Sequence, residues 1–161
     1  MNGPKTLGSA DDRSTAGLAR VTMAVMGVQD PANERLTELR DGLLWLHKVL
    51  LESERASYEH SIERITTSNQ FLGLVLHDPW FAWLRELSQL VVLIDEMQDD
   101  KEQRPTMADA DRMVAKARAL ITPSENGTGF EKGYFDALQR DPDVVLAHSR
   151  IAKILAALAK R

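Results

Sequence analysis

An all-α fold, a four-helix bundle with additional short helices and a disordered N-terminal tail, is what this 161-residue sequence predicts. Three observations carry it. On a helix, Trp80, Trp83, Leu84, Leu87, Leu90, Val91, Ile94 and Met97 share one wide arc. Leucines at 36, 39, 43, 46 and 50 repeat with the 3-4 spacing of a coiled-coil seam. No segment alternates apolar and polar residues with the period of two that a half-buried strand needs. Long helices with short polar connections pack as a bundle.

Composition narrows the class. A chain of this length suits one domain and hides roughly 70% of its unfolded surface on folding. Hydrophobic residues make up 43% and charged residues 27%, ordinary values for a soluble globular protein. The net charge of −4 disfavours a general phosphate-binding surface, so no nucleic-acid partner is expected. Zero cysteines exclude disulfides, thiolate catalysis and Cys-ligated zinc, and fit a reducing cytoplasm. Asp11 and Asp12 precede the apolar patch at 16–28, which Arg20 and Thr22 interrupt, unlike a signal peptide. No run reaches the ~18 apolar residues of a membrane span. A soluble cytoplasmic protein without a membrane partner is expected.

Taken in order, residues 1–14 are Gly, Ser and charge and read as the disordered tail, leaving 15–161 as a single helical-bundle domain. Residues 16–26 form a turn or two of helix that docks through Leu18, Val21, Val25 and Met26. Asp30-Pro31 is a helix start, a capping acid before a proline whose missing N–H costs nothing there. It opens the longest helix, 32–65. Leu44, Leu51, Tyr58, Ile62 and Ile65 add a second apolar line beside the leucine seam, so two packing partners are expected. Residues 69–76 form another turn or two, packing through Phe71, Leu72 and Val75.

Asp78-Pro79 repeats the start signal for a central helix at 79–99. Phe81, Val92 and Leu93 fall outside its apolar arc and leave little of it for water. The rest of the chain is therefore expected to pack around this segment. Residues 98–105 read as a loop. Thr106 and Asp109 resemble a capping box with a shorter acid, opening a helix at 107–121 that buries Ala110, Met113, Val114, Ala117, Leu120 and Ile121. Residues 122–129 form a loop, and 130–139 an amphipathic helix carrying Phe130, Tyr134, Phe135 and Leu138. Asp141-Pro142 starts the last helix, with Val144, Ala147, Ile151, Ile154, Leu155 and Leu158 on one face.

Asn33, Arg40, His47, Glu54 and Ser61 lie seven residues apart and form a polar line between the two apolar rows. This places His47 near the middle of the buried face. Asp95 and His148 border the apolar faces of their own helices. A buried imidazole without a partner costs roughly 1–3 kcal/mol. Either His47, Glu54, Asp95 and His148 meet around a small ligand or metal, with Trp83 beside them, or they are satisfied core groups that fix helix register. Structural networks of the second kind are the commoner arrangement.

Recognised chemistry is missing. A carboxylate-bridged dinuclear centre needs Glu-x-x-His, yet Leu44, Ser57, Leu74 and Val145 stand three before the four histidines. His-Glu-x-x-His is absent. Asp95, Glu96, Asp99, Asp100 and Glu102 crowd one helix end but lack calcium-loop spacing, and read as a solvated end offset by nearby basic residues. The glycines at 127, 129 and 133 lack phosphate-loop spacing, and Asn126-Gly127-Thr128 reads as a turn rather than a glycosylation site. A nucleophile elbow needs a strand, and the loop at 122–129 is too long for a helix-turn-helix. No catalytic residue, metal or cofactor is assigned. Trp45 falls opposite the leucine seam, where it meets the N-terminal segment or serves an interface.

The runs HDPWFAWLRELSQLVVLIDE at 77–96 and ALQRDPDVVLAHSRIAKIL at 137–155 cover about a quarter of the chain. They resemble stretches of an uncharacterised family of bacterial all-helical proteins. The resemblance implies a bacterial cytosolic helical domain and brings no activity, cofactor or site residue with it. The function expected is that of a non-enzymatic bundle acting through self-association, as a dimer, or through docking of a partner helix. The alternative is a bundle that holds a small ligand or metal in its core, with a catalytic role open to it.

Overall fold

Five leucines, Leu36, Leu39, Leu43, Leu46 and Leu50, have no exposed surface, and all lie along one side of α1 (Pro31–Ser61). The structure is a computed structural model that describes residues 30–161. The readings for the tail at 1–14, the domain start at 15 and the helix at 16–26 lie outside these residues. After α1 come α2 (Ser68–His77), a 3-10 segment (Pro79–Leu84), α3 (Arg85–Asp99), α4 (Met107–Leu120), α5 (Phe130–Arg140) and α6 (Pro142–Ala159). The fold is all-α, with no strand among the described residues, and Pro31–Arg161 form one compact unit.

The element at the centre is α1. It packs against the 3-10 segment, α3, α4, α5 and α6, which places it among more neighbours than any other rod. Its nearest companion is α6, which runs antiparallel to it. Gly42 makes the close approach possible, because a Cβ there would lie 2.9 Å from Ile151 Cδ1 and 3.1 Å from Ile154 Cδ1.

The segment expected to be central is different in two respects. It is not one α-helix: Asp78 accepts from the Trp80 N–H at 2.8 Å, and the Phe81 N–H bonds back to the Asp78 carbonyl, which sets a tighter 3-10 turn. Residues three apart eclipse one another in that geometry. Phe81 and Leu84 therefore share the inner face and are buried, while Trp80 and Trp83 share another and are half-buried. Nor is it clasped on all sides. Leu87, Leu90, Val91 and Ile94 of α3 are buried, but Val92 and Leu93 are exposed.

The long helix stops at Ser61, short of the expected 65. Glu59 Oε1 takes the Ile65 N–H at 2.9 Å, turning the chain so that Ile65 returns to the core from outside the helix. Ile62, expected on the second apolar line, is exposed. Thr67 then caps α2 by accepting from the Gln70 N–H. This helix is longer than expected and has no fully buried residue; Phe71, Leu74 and Val75 lean inward, and Leu72 points to solvent.

The remaining helices start where their signals place them. Thr106 and Asp109 form the full capping box of α4, and hydrogen bonds from the Thr106 N–H and hydroxyl hold the Asp109 carboxyl below its ordinary pKa. Asp141 caps α6, with Pro142 at its first position. Gly129 precedes α5 at φ +59°, a left-handed conformation that glycine adopts without strain.

Candidate functional site

The antiparallel pair of α1 and α6 leaves a groove of about 580 Å³ on its outer side, lined by Trp45, Lys48, Glu52, Ala56, Leu146 and Arg150 among others. Trp45 is 43% exposed and Leu146 69% exposed, the largest value among the exposed hydrophobics. The Arg150 guanidinium lies 4.9 Å from the Trp45 ring centroid, and the Lys48 ammonium 5.9 Å. Such contacts orient an indole but leave its edge available. Asp141 and Asp143 close the opposite end beside Glu52. The groove is basic around Trp45 and acidic around Asp143, with Val49, Leu146 and Ala147 between.

Eight ion pairs occur among the described residues, and none involves Lys48, Glu52, Asp143 or Arg150. Among the described residues these four charges face the groove without an oppositely charged partner, Lys48 and Arg150 resting only against the Trp45 ring. Sequence patterning points to Trp45 as an interface residue but to none of these four charges. Leu146 was legible: it lies off the face formed by Val144, Ala147 and Ile151, so a large apolar side chain had to face outward.

The residues read as a shared polar centre occupy separate places. Glu54 is buried and accepts from Arg140 Nη2 at 2.5 Å, with Ser53 also within reach of that guanidinium. Asp95 is paired with Arg40, the neighbour on the expected polar line, and this contact raises the Arg40 pKa. The Tyr134 hydroxyl and His148 Nδ1 are 2.6 Å apart. His47 is half-buried, not central to the core face. Burial lowers the pKa of both histidines and raises that of Tyr134. In the neutral tautomer with its proton on Nε2, His148 Nδ1 accepts from the Tyr134 hydroxyl.

Only two of the five come together. Glu54 and Trp83 line a hollow of about 550 Å³ with Thr128, Gly129, Lys132 and Arg140. Trp83 lies directly on the backbone of Gly133, where any Cβ would intrude into the indole. From there an aromatic chain runs through Phe130 and Tyr134 to His148, with successive centroids 5.4, 5.4 and 5.5 Å apart. Arg140 and Tyr134, the partners that satisfy Glu54 and His148, were not read from sequence. Among the described residues no three His, Asp or Glu side chains converge as metal ligands. No described helix is long and apolar enough to cross a membrane.

No family model, curated protein or solved structure matches this chain.

Proposed function

We propose that this is a non-enzymatic protein, a single four-helix-bundle domain of a reducing cytoplasm, that acts through self-association. Its working surface is the groove between α1 and α6, and the occupant is a second copy of the chain. One observation carries this: a groove centred on exposed Trp45 and Leu146 holds charges of both signs, unpaired and segregated to opposite ends. A two-fold interface uses the same patch twice, so that patch must complement itself. This one does. Exposed aromatic and aliphatic side chains ringed by charge are also the composition of interface cores.

Sedimentation of the full-length protein tests the proposal. A dimer is expected, and Trp45→Ala combined with Leu146→Glu should yield a monomer of unchanged helical content. Since both side chains are exposed, the fold should tolerate the changes. A wild-type monomer at concentrations up to about 1 mM, where even weak association registers, overturns it.

A second reading keeps one supporting observation, the hollow shared by Glu54 and Trp83. In it, a small ligand sits against the indole edge and the Glu54–Arg140 pair. Stoichiometric metal or a bound chromophore in protein purified without an affinity tag favours this reading.

A further inference from the structure

We infer that the two copies lie antiparallel across this groove, each placing its Trp45, Lys48 and Arg150 end over the Glu52, Asp141 and Asp143 end of the other. The inference rests on self-association through the groove and specifies the partner's orientation, which that reading leaves open.

The charges decide the orientation. Along α1, Lys48 precedes Glu52 by four residues, about 6 Å of helix; along α6, Asp143 precedes Arg150 by seven, about 10 Å. Because the helices are antiparallel, the two gradients point the same way and reinforce each other. A two-fold axis perpendicular to the groove turns it end for end and brings unlike ends together. An axis parallel to the groove lays like on like, and juxtaposed like charges are disfavoured. A translated, head-to-tail copy leaves each groove half-filled and propagates into open chains.

The apolar centre agrees. Leu146 lies three residues from Asp143 and four from Arg150, so it stands near the midpoint of the charge pattern. A perpendicular axis passing there sets Leu146 against its own copy, covering the most exposed large hydrophobic side chain. Trp45, at the basic end, then comes down near Ala56 at the opposite end of the other copy's groove, where a small exposed residue leaves room. The eight ion pairs among the described residues lie elsewhere; the groove charges gain oppositely charged partners only when the second copy arrives.

The chain contains no cysteine, so single introduced thiols report orientation without interference. Under mild oxidation, Leu146→Cys protein should form a disulfide-linked dimer. Ala56→Cys protein should not link to itself, but should link to Trp45→Cys protein when the two are mixed. Dimerisation should also weaken when salt rises from about 0.1 M to 1 M, which shortens screening from roughly 10 Å to 3 Å. If Ala56→Cys links to itself as readily as Leu146→Cys, or the dimer ignores salt, the antiparallel arrangement fails while self-association stands. If the untouched protein sediments as a monomer, self-association itself fails.

Discussion

The guanidinium of Arg35, 3% exposed, donates through Nη2 to the main-chain carbonyl of Leu158 at 2.7 Å. One hydrogen bond thus fastens the first turns of α1 to the last turn of α6, 123 residues away in sequence. Nη1 reaches Asp111 on α4 at 2.8 Å, so the same side chain holds three helices. Its Nε has no partner.

Loss of this clamp should cost more than loss of its acidic partner. Arg35→Ala removes a packed side chain and leaves the Leu158 carbonyl without its donor, a loss of about 2–3 kcal/mol. Asp111→Asn should cost under about 1 kcal/mol, because the Asp111 side chain is 66% exposed and exposed ion pairs contribute little. Urea denaturation of both variants checks the order; equal losses contradict it.

At the other end of the groove pair, Glu54 and Arg140 should behave asymmetrically. The Glu54 side chain is 6% exposed and that of Arg140 35%. Arg140→Met strands a buried carboxylate and should cost about 3 kcal/mol, the low end for breaking a buried pair. Glu54→Gln removes the buried charge and should cost less. A double variant, Glu54→Leu with Arg140→Met, should recover part of the loss. Chemical denaturation of the cycle measures all three.

Two glycines face side chains of different stiffness. At Gly133 a Cβ meets the rigid Trp83 indole, whereas at Gly42 it meets the flexible ends of Ile151 and Ile154. Gly133→Ala should therefore destabilise by about 1–3 kcal/mol through overpacking. It should also alter tryptophan emission as Trp83 is displaced. Gly42→Ala should cost less, helped by the better helix propensity of alanine. Thermal unfolding followed by fluorescence separates the two.

Acid should weaken the fold through the histidines. Burial lowers the pKa of His47 and His148 in the folded state, while the unfolded chain takes up protons near the ordinary value of about 6.5. Below that pH the unfolded state binds more protons, so stability is intact above pH ~6.5 and falls as the pH drops toward the lowered folded values. A protonated His148 also turns Nδ1 into a donor facing the Tyr134 hydroxyl. Melting temperatures from pH 8 to pH 5 should decline less steeply in His148→Leu than in the parent. His47→Leu should be near neutral or stabilising at pH 8, since the His47 imidazole makes no hydrogen bond among the described residues.

Much of the frame was legible because its signals are local. The leucine seam of α1, the Thr106–Asp109 box and the Asp-Pro starts at 78–79 and 141–142 depend on neighbours within one or two turns. The 3-10 segment was misread because a period of three and a period of 3.6 barely diverge over six residues. What separates them is the Asp78 cap and the space available for Phe81. The exposure of Val92 and Leu93 was missed because burial depends on how many neighbours arrive, and only contacts distant in sequence decide that.

Residue order by itself determined the helices, most of their starts and the faces they bury, since hydrogen bonding and periodicity act along the chain. The tertiary structure decided which polar side chains meet. Glu54 finds Arg140, Asp95 finds Arg40 and His148 finds Tyr134, because a charge or imidazole leaving water takes the nearest partner that helix packing supplies. It also decided that α1, with α6 laid against Gly42, carries the core and leaves Trp45 and Leu146 uncovered.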